Sequence, residues 1–426
     1  MRQIDPLSSS PKSSARSVPS VLVLAYAFPP IQVPMTPVVA RLTAGLNQLG
    51  FAVDLICAHP GASPVYLPQD ASLLDYVSAR CRRVQRLRPD AGLLRFFSNH
   101  RKLTQYFPDC MAGLHESAFR AVMAAAPSSY SAVLSVSPFH TVNPVMVRVK
   151  RAHPQVRWIA HFCDPWAENP LEPRPLVRRW NAWREPQTLR AATYVTHSSS
   201  QALEMVLAAH PFLRRERTRV VPHEFDRALY PARPKRRNDQ VTLRFIGTLF
   251  GRRSPTPLFR ALSQLLKRRP DLRDALRLEL IGPTDRELSA WDAFSDLPAG
   301  LVCHRPNVEY VASLELMYDA DLLLVIEADV AATPFVPSKI MDYMGANTPI
   351  IGIVPAGGCR EILDRLGCLT ANPNDTMGIA GALETGIARV VRGGAEPWCR
   401  DEVRRSFDLT SGTAAFVPLI MDTAPQ

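Results

Sequence analysis

The sequence predicts an α/β protein made of two doubly wound halves that face a central cleft, and three observations carry that expectation. From Val21 onward, short β-branched runs alternate with longer helical stretches, the signature of βαβ units and of a parallel sheet buried on both faces. The alternation stops over residues 226–240, where two prolines and a Lys-Arg-Arg run lack any period, and it restarts at Val241. The length also fits, because 426 residues exceed one domain of ~150 and are 46% hydrophobic and 21% charged, a globular composition.

In the first half the expected strands are 21–27, 52–57, 132–136, 156–162, 193–197 and 219–221. Helix 38–49 stops at Gly50 and helix 201–209 stops before Pro211. In the second half the expected strands are 241–246, 276–281, 301–304, 322–326 and 349–354, with helices 257–268, 309–319 and 338–344. Residues 1–20, rich in Ser, Arg and Pro, read as a flexible tail. The apolar stretch that follows runs straight into Pro29-Pro30 with no small-residue cleavage site, so it reads as a strand and not as a signal peptide. The resulting division is a tail at 1–20, a first domain at 21–225, a linker at 226–240 and a second domain at 241–426 that includes a terminal helix.

Composition narrows the function classes. Fifty Lys plus Arg against 39 Asp plus Glu leave a formal charge of +11, and clusters such as Arg80 to Arg88 predict an acidic partner. Nucleic acid is disfavoured, since the basic runs lack interleaved aromatics and no reader motif occurs. Eight cysteines without a C-x-x-C pair argue against a zinc site or a disulfide framework and fit a reducing cytosol. No apolar run approaches the ~18 residues of a membrane-spanning helix.

In doubly wound sheets, ligands bind beyond the carboxyl ends of the strands. The expected strand 241–246 ends in Gly247-Thr248-Leu249-Phe250-Gly251-Arg252-Arg253. A glycine there admits a close ligand, and two guanidiniums can fork onto phosphate oxygens, although the same segment also suits a plain loop with solvated arginines. Further on, Pro337 and Ser338 suggest a helix start, with Ser338 as N-cap, Lys339 adding charge at the positive end, and Asp342 one turn later. Asp342 could accept from a ribose hydroxyl or serve as a capping-box acid. Glu327, directly after strand 322–326, is either a second acid of the site or a strand terminator.

These pieces occur in a particular order: Phe28-Pro29-Pro30, Asp164-Pro165-Trp166, Pro222-His223-Glu224-Phe225-Asp226, Gly247-Thr248-Leu249, then Pro337-Ser338-Lys339-x-x-Asp342-Tyr343 with Pro349. That order resembles the GT-B glycosyltransferases of family 4, and most of all the branch found in exopolysaccharide and capsule synthesis. The resemblance runs from about residue 20 to 390 and implies retaining transfer from a nucleotide diphosphate sugar, held by the second domain, to a glycan or lipid-linked acceptor held by the first. By position, Gly247, Arg252, Arg253 and Lys339 would meet the diphosphate, Thr248, Leu249 and Ser338 would complete the donor site, and Asp342 would take the ribose. Arg253 matches the family's arginine better than Arg252. The chain departs from the pattern at Pro334, where the family more often has an acid, at Cys163, and at His223-Glu224. Other readings on the same architecture are an inactive shell within an assembly complex, or a sugar-nucleotide epimerase.

On the acceptor side, Asp164 could orient a hydroxyl or touch the donor sugar, or could simply cap a turn. His140 could bond sugar hydroxyls, shuttle a proton or be structural. His161 and His197 lie within strands and read as core. The D-x-D at Asp319 and Asp321 reads as a helix-to-strand junction, so no metal is expected, and no cofactor beyond the sugar nucleotide. Residues 93–107 form a basic amphipathic pattern that could lie on an anionic membrane, which would make the protein cytoplasmic and peripheral on the inner face of the cell membrane, or that could pack into the first domain.

Overall fold

The computed structural model describes residues 18–62, 67–89, 109–170, 172, 174–393 and 397–421. Most of the N-terminal tail and the candidate membrane segment 93–107 lie outside the described residues. The strands are β1 (Ser20–Leu24), β2 (Ala52–Ala58), β3 (Arg83–Leu87), β4 (Ala132–Ser137), β5 (Trp158–Phe162), β6 (Tyr194–His197) and β7 (Thr218–Val220) in the first lobe. In the second they are β8 (Val241–Ile246), β9 (Leu276–Ile281), β10 (Val302–Arg305), β11 (Leu322–Ile326), β12 (Ala332–Thr333), β13 (Ile350–Ile353), β14 (Ala356–Gly357) and β15 (Leu369–Ala371). The α-helices are α1 (Thr36–Gln48), α2 (Leu74–Ser78), α3 (His115–Ala124), α4 (Val142–Ala152), α5 (Pro175–Ala191), α6 (Ser200–Ala209), α7 (Thr256–Arg268), α8 (Tyr310–Tyr318), α9 (Lys339–Ala346), α10 (Gly358–Leu366), α11 (Thr376–Val391), α12 (Asp401–Arg405) and α13 (Val417–Met421).

Two large sheets result, ordered β3-β2-β1-β4-β5-β6-β7 and β10-β9-β8-β11-β13-β15, while β12 and β14 form a separate ribbon. Every pairing among the named strands is parallel, with registers such as Val23 opposite Leu55 and Leu134, and Leu323 opposite Ile350. The strand order reverses beside β1 and beside β8, so each lobe has a crevice at its carboxyl edge. The central strands read as continuous apolar runs because helices cover both faces: Val133, Leu134 and Val136 are buried in the first lobe, and Leu322 to Ile326 in the second.

The structure adds elements that periodicity did not give. Edge strand β3 falls inside the arginine cluster, and the arginines largely serve the protein itself. Arg82 forks onto Asp54 at 2.9 and 2.7 Å, and Arg86 donates to the Pro29 carbonyl at 2.7 Å. Residues 226–240 are tied down as well: Arg233 forks onto Asp319 and Lys235 donates to Thr348.

One assignment needs correcting. The terminal helix expected with the second domain packs instead on the first lobe, where Phe416, Leu419 and Ile420 lie buried in one cluster with Val21, Val23, Val53 and Leu55. Arg157 donates to the Ile420 carbonyl at 2.6 Å, and the Thr413 hydroxyl and amide both donate to Glu224 at 2.6 Å.

Candidate functional site

At the carboxyl end of β8 the chain turns at Gly247, whose φ is +150°. The neighbouring turn at Gly282 comes so close that a Cβ there would lie 2.3 Å from the Gly247 carbonyl oxygen, so the contact is backbone on backbone. Beyond the turn, Arg253 folds back while Arg252 stays exposed, and the two arginines part company. Arg253 Nη2 donates to Glu327 Oε2 at 2.6 Å. Lys339, at the start of α9, places Nζ 3.9 Å from Glu327 Oε1 and 4.4 Å from the Phe245 ring centre. Glu327 is 5% exposed at the end of β11, so it does more than end a strand.

This corner holds two cations on one buried carboxylate and is incompletely satisfied. Arg253 Nε and Glu327 Oε1 are buried without hydrogen-bond partners. Burial, reinforced by the Arg253 charge, lowers the Lys339 ammonium to about 8. Unspent donor capacity beside a helix N-terminus suits an anionic ligand.

Other parts of the expected donor set behave differently. Ser338 precedes α9 but does not cap it by its side chain; its hydroxyl donates to the Pro34 carbonyl of the other lobe at 3.3 Å. Leu249 is buried and bonded through its backbone to Pro283 and Asp285, so its side chain belongs to the core. Thr248 is exposed and lines the cleft. Asp342 was expected to be open to a ribose, yet its Oδ1 accepts from Arg41 of α1 and, at 2.7 Å, from the Tyr310 hydroxyl. Arg41 and Asp342 are 1% and 4% exposed and belong to opposite lobes. Arg41 is the residue that sequence reasoning missed; its trace in the sequence is a lone charge in the apolar run Val38-Val39-Ala40-Arg41-Leu42.

Between the lobes lies a cavity of about 410 Å³ lined by Gly247, Thr248, Ser338, Lys339 and Asp342 from the second lobe and by Pro29, Gln32, Pro34, Pro37 and Asp70 among others from the first. Further bonds cross its rim: Asn307 Nδ2 donates to Gln32 Oε1 at 3.0 Å, and the Tyr310 amide donates to Asp70. Neither Arg253, Glu327, His140 nor Asp164 lines this cavity, so the candidate residues fall into two places, a corner expected to hold the donor and an edge expected to hold the acceptor.

The acceptor edge follows β4, β5 and β6. His140 stacks on Trp166 with ring centres 4.8 Å apart, and Phe162 stacks on His197 at 5.1 Å. Burial lowers His140 and His197 to about 3, so both rings are neutral at pH 7. His140 Nδ1 and both ring nitrogens of His197 are buried without partners. Asp164, on the same edge, is raised to about 6 by burial. The structure thus makes His140 a polar but uncharged wall and leaves Asp164 as the group that titrates near neutrality.

The two aspartates of the D-x-D are spent on structure: Asp319 accepts both Arg233 nitrogens, and Asp321 accepts from Asn238 and the Thr242 amide. Among the described residues, no group of three or more His, Cys, Asp or Glu is placed to hold a metal, and no helix is long and apolar enough to cross a membrane.

No protein-family model matches the sequence, and a search of curated proteins finds no significant match. Solved structures match over nearly the whole chain. Sucrose-phosphate synthase from Thermosynechococcus elongatus aligns with a TM-score of 0.63 at 16% identity, covering 95% of this chain and 99% of its own. HepE from Anabaena, solved in complex with UDP and glucose, aligns with a TM-score of 0.63 at 14% identity over 95% and 99%. A glycosyltransferase from Rickettsia africae gives 0.62 at 10% identity over 95% and 98%. The chain has the fold of these proteins, the two-lobed GT-B arrangement of Rossmann-like sheets.

Proposed function

We propose that this protein is a glycosyltransferase of the GT-B family 4 type that moves a hexosyl group, with retention, from a nucleotide diphosphate sugar to a glycan or lipid-linked acceptor. The observation that carries the reading is the convergence of Arg253 and Lys339 on the single carboxylate of Glu327 at the reversal point of the second sheet, with Lys339 on the cavity wall. When the bond from the sugar to the β-phosphate breaks, negative charge builds on the departing oxygen. Fixed cations and helix-terminal N–H groups stabilise that charge more than the ground state, which is how such a corner accelerates transfer. The acceptor hydroxyl bonds to the sugar carbon and its proton leaves with the diphosphate, while Asp164, anionic above about pH 6, orients that hydroxyl from the other edge.

The motif order from Phe28 to Pro349 supports a role in surface polysaccharide synthesis on the cytoplasmic side of the membrane, and the structural bonds of Asp319 and Asp321 support transfer without a metal. The fold and the UDP bound to HepE make UDP-sugars the first donors to try. A thermal-shift panel of UDP-, GDP- and ADP-sugars should show stabilisation by one base class. Absence of a shift with every donor would overturn the reading, and so would turnover that is lost in chelator and restored by magnesium, for its metal-free part. One observation favours an inactive shell as a second reading: Asp342 Oδ1 is committed to Arg41 and Tyr310. That reading predicts weakened or absent donor binding together with absent turnover.

A further inference from the structure

Helix α5 buries Val177, Asn181, Glu185, Thr188 and Leu189 against the first lobe. Its other face is unusual for a protein surface. Leu176 is 74% exposed and Trp183 is 54% exposed, and Trp180 packs edge-on against Trp183 at 5.2 Å. Spacings of three, four and seven put Leu176, Arg179, Trp180 and Trp183 on one stripe, and Arg190 continues it one heptad later. Arg190 covers the ring of Phe212, itself 37% exposed, and Arg184 stacks on both tryptophans. Arg178 and Arg179 are exposed, while the single acid of the helix, Glu185, is 1% exposed and faces inward to His210.

We propose that this face of α5 is a docking surface for an anionic lipid bilayer, lying in the interface plane with Leu176 and Trp183 inserted and the arginines against lipid phosphates. The chemistry selects that occupant. Tryptophan and leucine flanked by arginines, with every exposed charge of the helix itself positive, match a layer that is apolar below and anionic above. An acidic protein or a nucleic acid would use the arginines but leaves the leucine without a partner. Charge and length also make α5 a helix that lies on a membrane and does not cross one. The surface stands apart from the donor corner, so this inference goes beyond the transfer reaction and does not depend on it.

The test is flotation of the full chain, without donor, with vesicles of phosphatidylcholine alone and of phosphatidylcholine mixed with phosphatidylglycerol. The protein should float with the mixed vesicles only. Arg179→Glu with Arg190→Glu should weaken partitioning about 30-fold or more, and Trp183→Ser on the order of tenfold. Both variants should keep the wild-type melting temperature and the wild-type response to sugar nucleotides. Wild type that ignores the anionic vesicles, or floats equally with neutral ones, overturns the proposal. Full partitioning of both variants overturns it too, and assigns any binding to another segment. Should the double variant fail to fold, Leu176→Ser carries the same test, because that side chain is the most exposed of the stripe.

Discussion

The donor corner and the acceptor edge treat charge in opposite ways. At the corner, Arg253, Lys339 and Glu327 concentrate three formal charges and leave donors unspent. At the edge, His140, Phe162, Trp166 and His197 form a column of uncharged rings, and Asp164 is a group that changes charge near neutral pH. The difference teaches a division of labour. A corner built around fixed cations is prepared for a multiply charged ligand, whereas an edge of neutral imidazoles and rings offers hydrogen bonds and flat apolar faces, the surface a sugar presents to its binder.

The largest effect should come from breaking the element that joins the two sides. Arg41→Met leaves Asp342 buried without its cation, and chemical denaturation should show a loss of about 3 kcal/mol or more. A loss below about 1 kcal/mol would mean that water reaches the pair. Next, Lys339→Ala should lower turnover by about 10² to 10³ with a properly folded protein, since one charge-stabilising donor at a transition state is worth that much. Unchanged kinetics would remove Lys339 from the mechanism.

The acceptor edge is sharpened by Asp164→Asn, expected to cost about 10² in turnover as a lost polar catalyst. The pH profile adds a sign check. Asp164 has a raised pKa, so its anion exists only above about pH 6, while Lys339 has a lowered one and loses its proton above about 8. Activity should therefore rise through pH 6 and fall through pH 8, and Asp164→Asn should delete the acid limb alone. An acid limb that persists in that variant would point to a different group. The smallest effect belongs to Arg252→Ala, expected within about twofold of wild type because an exposed side chain loses little on truncation. A loss matching that of Arg253→Ala would erase the distinction between the two arginines.

Much of the fold could be read from the residues because buried parallel strands are short apolar runs: Leu322 to Ile326 and Val241 to Ile246 stand where expected. Strand β3 escaped because an edge strand can carry Arg83 and Arg86, so its pattern looks like a charged surface. Helix α5 escaped for a related reason, since its exposed tryptophan and leucine blur the apolar period of its buried face. In the site, Arg253 and Lys339 were legible because a glycine turn after a strand and a lysine at a helix start have local signatures. The pairing of Arg41 with Asp342 was not, because it joins positions 301 apart that only the docking of two lobes brings together. Ser338 shows the reverse error: a good capping residue whose hydroxyl found a partner on the other lobe.

The return of residues 413–421 to the first lobe has a consequence for how the protein is made. A nascent chain completes β1 to β7 long before Phe416, Leu419 and Ile420 are synthesised to finish covering the face that holds Val21 and Leu55. Until then that apolar face stays open to chaperones or to aggregation. Release of a shortened translation product lacking those residues would leave both halves formed in outline and the earlier one unfinished.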